Sequence, residues 1–235
     1  WSFVTFARTT PATATDGFPL MNIAGGPEDV AFGEPTSAGG RVYVYEGASS
    51  TIVQTLNAPA NRQGFGSSIS AIDYNGDGFD DLLVGACLGD ASSSTAPTAS
   101  SGCSGYVVVY AGDATGHFNT TPVVTLGNGN GTNRVGFGSS VAGIGDFNGD
   151  GYGDFVVGAY FSGRALIYLG RAGTGPLTEI EITPSGPLTT SRFGWQVAAA
   201  GDLDGDHFDD VLVGSYSAFG MSGNLNLSVV FGGTG

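Results

Sequence analysis

Three nine-residue stretches place oxygen-bearing side chains at matched positions: DYNGDGFDD from Asp73, DFNGDGYGD from Asp146 and DLDGDHFDD from Asp202. They hold twelve of the 21 acidic residues in a chain only 12% charged, so the crowding is not a side effect of composition. Carboxylates this close repel unless a positive charge sits among them. The first, third, fifth and ninth positions supply Asp73, Asn75, Asp77 and Asp81; Asp146, Asn148, Asp150 and Asp154; and Asp202, Asp204, Asp206 and Asp210. Glycine at the fourth position (Gly76, Gly149, Gly205) lets the backbone curl so that alternate side chains converge. A hard cation that takes six to eight oxygens is the expected occupant, with the backbone carbonyls of Phe79, Tyr152 and Phe208 as further donors. Magnesium demands stricter octahedral geometry with retained waters, so the expectation is three Ca²⁺ sites. Three dications would bring the formal charge from −14 to −8.

An EF-hand begins in the same way but needs a bidentate glutamate at position twelve and flanking helices. Position twelve here is Val84, Val157 and Val213, and the flanks are β-branched and glycine-rich, which excludes it. A solvated acidic turn that binds nothing accounts for one such stretch far more readily than for three in matched positions. In the third copy His207 stands where the others have glycine. If that position needs positive φ, histidine is strained there and this site is the weakest of the three.

The loops belong to a longer repeat. Before them stand GFGSSISAI, GFGSSVAGIG and RFGWQVAAAG; after them stand DLLVGAC, DFVVGAY and DVLVGSY. Third strands follow in GYVVVYAG, GRALIYLG and SGNLNLSVVFGG, and fourth strands in PVVTLG and TEIEIT. The N-terminal part fits the same template without a loop: GFPLMNIAG from Gly17, PEDVAFGEP with Asp29 at the ninth-position place, GRVYVYEG, then TIVQTL from Thr51. The expected fold is therefore all-β, a single domain of four-stranded antiparallel units over about 11–60, 61–128, 133–186 and 190–235.

These units resemble FG-GAP repeats, the blades of integrin α-subunit β-propellers and related extracellular proteins. The FG element stands at Phe65-Gly66, Phe137-Gly138 and Phe193-Gly194; the weakened GAP element stands at Gly85-Ala86-Cys87, Gly158-Ala159-Tyr160, Gly214-Ser215-Tyr216 and Gly33-Glu34-Pro35. The resemblance implies calcium in the acidic loops on one face of a propeller and ligand contacts on the other. It implies no cation site in the first repeat. The FG and GA residues are read as packing residues between blades. Integrin propellers carry more blades than the four repeats visible here. The strand WSFVTFART, within residues 1–10, is expected to complete the last blade and close the ring, while an arc of a larger propeller or assembly stays open as the rival.

Cys87 and Cys103 are expected to form a disulfide, and the chain is read as secreted or cell-surface, with any signal peptide already removed before Trp1. Asn119 and Asn130 are candidate glycosylation sites in loops, whereas the sequon at Asn226 falls within a strand pattern. The acidic surface argues against nucleic acid as a partner, and no apolar run is long enough to span a membrane. No nucleophile–base motif is present, so no enzyme activity is expected. Trp1 and Trp195 are read as packing residues rather than sugar platforms. The leading function is adhesion or recognition of a protein or glycan. The alternatives are a structural unit that assembles with further copies of itself, and an accessory propeller of a secreted enzyme.

Overall fold

The computed structural model describes residues 2–6, 29–35, 39–46, 51–59, 64–87, 103, 105–127, 135–173, 175–184, 192–216 and 225–234. Among these residues there is no helix, and no helix is long and apolar enough to cross a membrane. Fifteen strands form four antiparallel sheets. The first contains β1 (Ser2–Phe6), β2 (Asp29–Glu34), β3 (Arg41–Glu46) and β4 (Thr51–Asn57). The second contains β5 (Phe65–Ile72), β6 (Asp81–Ala86), β7 (Tyr106–Tyr110) and β8 (Val124–Gly127). The third contains β9 (Phe137–Gly145), β10 (Asp154–Ala159), β11 (Arg164–Tyr168) and β12 (Glu179–Ile182). The fourth has three strands, β13 (Gln196–Gly201), β14 (Asp210–Tyr216) and β15 (Leu225–Val230).

Within each sheet the strands follow in chain order, and the first strands β1, β5, β9 and β13 pack against one another in sequence. The result is propeller-like: sheets meet along their first strands and diverge toward their last. Three apolar cores fill the three gaps between neighbouring sheets. Val42, Val44, Leu82 and Val84 lie in the first gap; Leu83, Val109, Phe155 and Leu166 in the second; Val156, Ile167, Val211 and Val213 in the third. The middle sheets are buried on both faces, so LLVGA and FVVGA read as continuous apolar runs rather than alternating ones.

The FG elements close these gaps. Phe65, Phe137 and Phe193 are each buried in the core shared with the preceding sheet. The glycine that follows each one lies against the preceding sheet's third strand. A Cβ on Gly138, at φ 79°, would fall on the carbonyl oxygen of Tyr106. Only a residue without Cβ allows this approach.

The expectation that the N-terminal strand completes the last sheet is overturned. β1 pairs with β2 over Ser2↔Gly33 to Phe6↔Asp29 and stands at the first-strand position of the first sheet. It takes the place expected for GFPLMNIAG, which lies outside the described residues. Five residue pairs join β1 to β2.

Candidate functional site

Each acidic loop joins the first strand of a sheet to the second, so it is held at the tip of a hairpin whose stem is paired. The three loops share one hydrogen-bond pattern. At the first position Asp73 accepts from the backbone N–H groups of Asp77 (3.1 Å) and Gly78 (3.0 Å). Asp146 accepts from Asp150 (3.0 Å) and Gly151 (2.9 Å), and Asp202 from Asp206 (3.0 Å) and His207 (2.9 Å). The third-position oxygens of Asn75, Asn148 and Asp204 accept from the N–H of the fifth residue. The fifth-position oxygens of Asp77, Asp150 and Asp206 accept from the N–H of Phe79, Tyr152 and Phe208. These bonds curl each loop, and in the first two the side-chain amides of Asn75 and Asn148 also donate to the second carboxylate oxygen of Asp77 (2.8 Å) and Asp150 (2.9 Å). In the third loop, ligand atoms of Asp202, Asp204 and Asp210 lie within 4.8 Å of one another. A donor set of hard oxygens at this spacing fits a hard cation.

The backbone turn at the sixth position has positive φ in every copy: 85° at Gly78, 86° at Gly151 and 75° at His207. His207 is the one non-glycine residue with positive φ among the described residues. Its Nδ1 lies 3.9 Å from Asp202 Oδ2.

The ninth-position aspartates have a role the sequence reading did not include. Asp81, Asp154 and Asp210 are fully buried, and each carboxylate bridges two backbone donors. Asp81 accepts from Tyr74 in its own loop and from Gly112 after β7. Asp154 accepts from Phe147 and Gly170, and Asp210 from Leu203 and Gly232. Burial pushes the Asp81 and Asp154 carboxyls up to about 7; the charges of Asp77 and Asp73, and of Asp150 and Asp146, add to it, while the backbone bonds oppose it. Burial also raises Asp73, with Asp77 adding to it. Asp29 in the loopless first sheet occupies the same register and is equally buried.

The seventh-position rings were expected to matter only through their carbonyls. The structure adds a packing role: the Tyr152 ring covers Gly76 of the preceding loop and the Phe208 ring covers Gly149. Backbone bonds run the same way, from Gly153 N–H to the Asp73 carbonyl (2.8 Å) and from Asp209 N–H to the Asp146 carbonyl (3.2 Å). The three loops therefore form a connected row along one face.

The opposite ends of the strands carry a different surface. A cleft of about 420 Å³ is lined by Ser67, Ser68, Ser139, Ser140, Tyr160 and Trp195 among others. Trp195 is 42% exposed, which corrects its reading as a packing residue. Its ring meets Tyr160 edge-on at 4.8 Å, and the Arg192 guanidinium lies 5.8 Å from the indole centroid. Cys87 and Cys103 are joined in a disulfide near this surface, with Cα atoms 5.5 Å apart. Asn119 is exposed; Asn130 lies outside the described residues; Asn226 sits within β15.

Two family models match, an FG-GAP repeat over residues 65–110 and an FG-GAP-like repeat over 146–213. The chain belongs to the FG-GAP repeat family. This FG-GAP chain is similar to integrin α-3 of Cricetulus griseus, 34% identical over 158 residues, covering 65% of the chain and 14% of the relative. It is 29% identical to integrin α-8 of Gallus gallus over 226 residues, covering 88% and 21%, and 31% identical to integrin α-PS2 of Drosophila melanogaster over 203 residues, covering 81% and 14%. The chain thus spans only a minor part, 14% to 21%, of these relatives' length. The matched segments contain all three acidic loops and the FG elements at Phe65-Gly66 and Phe193-Gly194, while Phe137-Gly138 lies between them.

Proposed function

We propose that this FG-GAP chain is an extracellular recognition module whose propeller-like scaffold is held by three Ca²⁺ ions. The observation that carries the reading is the shared hydrogen-bonded curl of three loops at hairpin tips, with carboxylate oxygens gathered within 4.8 Å in the third. Asp73, Asn75, Asp77 and Asp81 would hold one ion, with the Phe79 carbonyl. Asp146, Asn148, Asp150 and Asp154 would hold the second with that of Tyr152, and Asp202, Asp204, Asp206 and Asp210 the third with that of Phe208. When bound, calcium supplies positive charge to carboxylates that otherwise repel one another. Affinities on the order of 10⁻⁴ to 10⁻³ M suit an extracellular module.

Ligand recognition is assigned to the face away from these loops. There exposed Trp195, with half-buried Tyr160 and Arg192 against it, offers aromatic and cationic groups beside a row of serine hydroxyls, a combination suited to a protein or glycan surface. The disulfide and the similarity to integrin α-subunits support an extracellular setting. Exposed Asn119 is a place for an N-linked glycan.

Solid-phase capture on panels of extracellular proteins and glycans, with calcium and with chelator, tests the reading. Calcium-dependent capture that weakens at least about tenfold in Trp195→Ala is expected, the loss typical of removing an aromatic anchor. Capture indifferent to both chelator and the substitution contradicts it.

A further inference from the structure

The two end sheets expose the two halves of an interface that the chain satisfies three times internally. The strand registers make the comparison direct, because Val42, Val107, Ala165 and Leu227 all stand opposite the GA-element glycine. Val44, Val109, Ile167 and Val229 occupy the next position on the same face. In the first three sheets these residues are 0% exposed, pressed against the following sheet. In the fourth, Leu227 is 66% exposed and Val229 40%, with Phe231 beyond them at 55%. Exposure of three alternate apolar residues on one strand face is what burial removes elsewhere in this chain.

The glycine between them points the same way. A Cβ on Gly85 or Gly158 would strike the carbonyl oxygen of the FG glycine in the following sheet, Gly138 or Gly194. A Cβ on Gly214 would meet only Gln196 of its own sheet, at 3.4 Å. The fourth sheet therefore keeps the surface of a contact whose second half is not supplied.

That second half is presented by the first sheet. Tyr110 and Tyr168 are buried against the preceding sheet, as are their strand partners Leu82 and Phe155. The corresponding pair in the first sheet, Tyr45 and Val30, is half-buried, and Ile52 opposite Tyr45 is 50% exposed. Among the described residues no apolar core joins the fourth sheet to the first, and β13 and β14 make no packing against β1 comparable to that between the other neighbours.

We propose that the exposed face of the fourth sheet docks onto the exposed face of the first sheet in a second copy of the chain. The contact continues the internal sheet-on-sheet packing, so its pairing is heterologous: one end face meets the other, never itself. Such contacts close into a ring when the rotation allows and otherwise extend into a filament.

Sedimentation velocity across a micromolar concentration series, at physiological salt with calcium, tests this. The intact chain should form dimers or longer assemblies. Leu227→Glu on one face, or Ile52→Glu on the other, should each leave monomers or raise the concentration for half-association at least about tenfold. Both positions are surface-exposed, and an unchanged melting temperature confirms that each variant folds. Mixing the two variants leaves one intact face on each chain and should restore a one-to-one complex. A chain that stays monomeric throughout overturns the proposal. So does association that survives either substitution, or a mixture that fails to pair, since both would mean a different surface is used.

Discussion

The backbone N–H of Gly153 donates to the carbonyl oxygen of Asp73 at 2.8 Å, so the second acidic loop is bonded to the first. Asp209 N–H repeats the arrangement on Asp146, and Asp209 Oδ2 accepts the Asp146 N–H in return at 2.8 Å. Loops joined in this way do not respond independently. Asp150→Ala in the middle loop should remove one calcium per chain and also weaken the two remaining sites by about 1 kcal/mol each, the scale of coupling between groups in contact. Calorimetric titration measures both. Two remaining sites with unaltered affinity would mean that the bonds between loops transmit nothing.

The FG glycines make a separate prediction about packing between sheets. Gly138 and Gly151 both have positive φ, 79° and 86°, but a Cβ on Gly138 meets the Tyr106 carbonyl whereas one on Gly151 meets nothing within 4 Å. Gly151→Ala should cost about 1 kcal/mol from backbone strain alone. Gly138→Ala should cost about 3 kcal/mol or more, since the two sheets must also separate. Denaturant unfolding compares the two, and equal losses would remove the close-approach argument.

His207 carries the same turn without glycine's freedom. His207→Gly should stabilise the calcium-loaded protein by about 0.5–1 kcal/mol, relief of left-handed strain offset by the added freedom of the unfolded chain. It should also tighten calcium binding at the third loop. A drop in melting temperature would show that the exposed imidazole beside Asp202 contributes more than the strain costs.

The buried aspartates fix the sign of the pH dependence. Burial pushes Asp81 and Asp154 up to about 7 in the folded chain from an ordinary carboxylate value of 3.8, so the native state binds more protons than the unfolded state between those values. Calcium-free protein should therefore gain stability as pH falls from 7 toward 5. Calcium needs the carboxylates ionised, so its binding near pH 7 should release protons and weaken on acidification. Titrations in buffers of different ionisation enthalpy reveal the release. Heats independent of the buffer would contradict it.

Much of this architecture was legible in the sequence because it is repeated. The all-β meanders, the curl of the loops, the positive φ at the His207 position and the pairing of Cys87 with Cys103 each rest on local spacing or on several matched copies. Relationships between repeats were harder to read. Tyr152 over Gly76 and the two-ended bridge of Asp81 to Tyr74 and Gly112 depend on sequence-distant parts meeting, which periodicity does not encode. The strand at Ser2–Phe6 had no partner motif of its own, so its pattern suited an edge of the first sheet as well as the last. The structure pairs it with β2. A tryptophan by its type suits packing; only the assembled surface shows the Trp195 indole exposed beside Tyr160 and Arg192.

Calorimetric melting with saturating calcium and with excess chelator shows whether the three loops hold the fold through bound cations. Each site occupied at about 100 times its dissociation constant adds about 2.7 kcal/mol to the folded state. The melting temperature should climb steadily with calcium concentration and fall by several degrees or more when chelator is added, with Asp77→Ala, Asp150→Ala and Asp206→Ala each removing part of the gain. An identical melting curve in calcium and in chelator would contradict it, and the three loops would then be acidic turns held by their own backbone bonds.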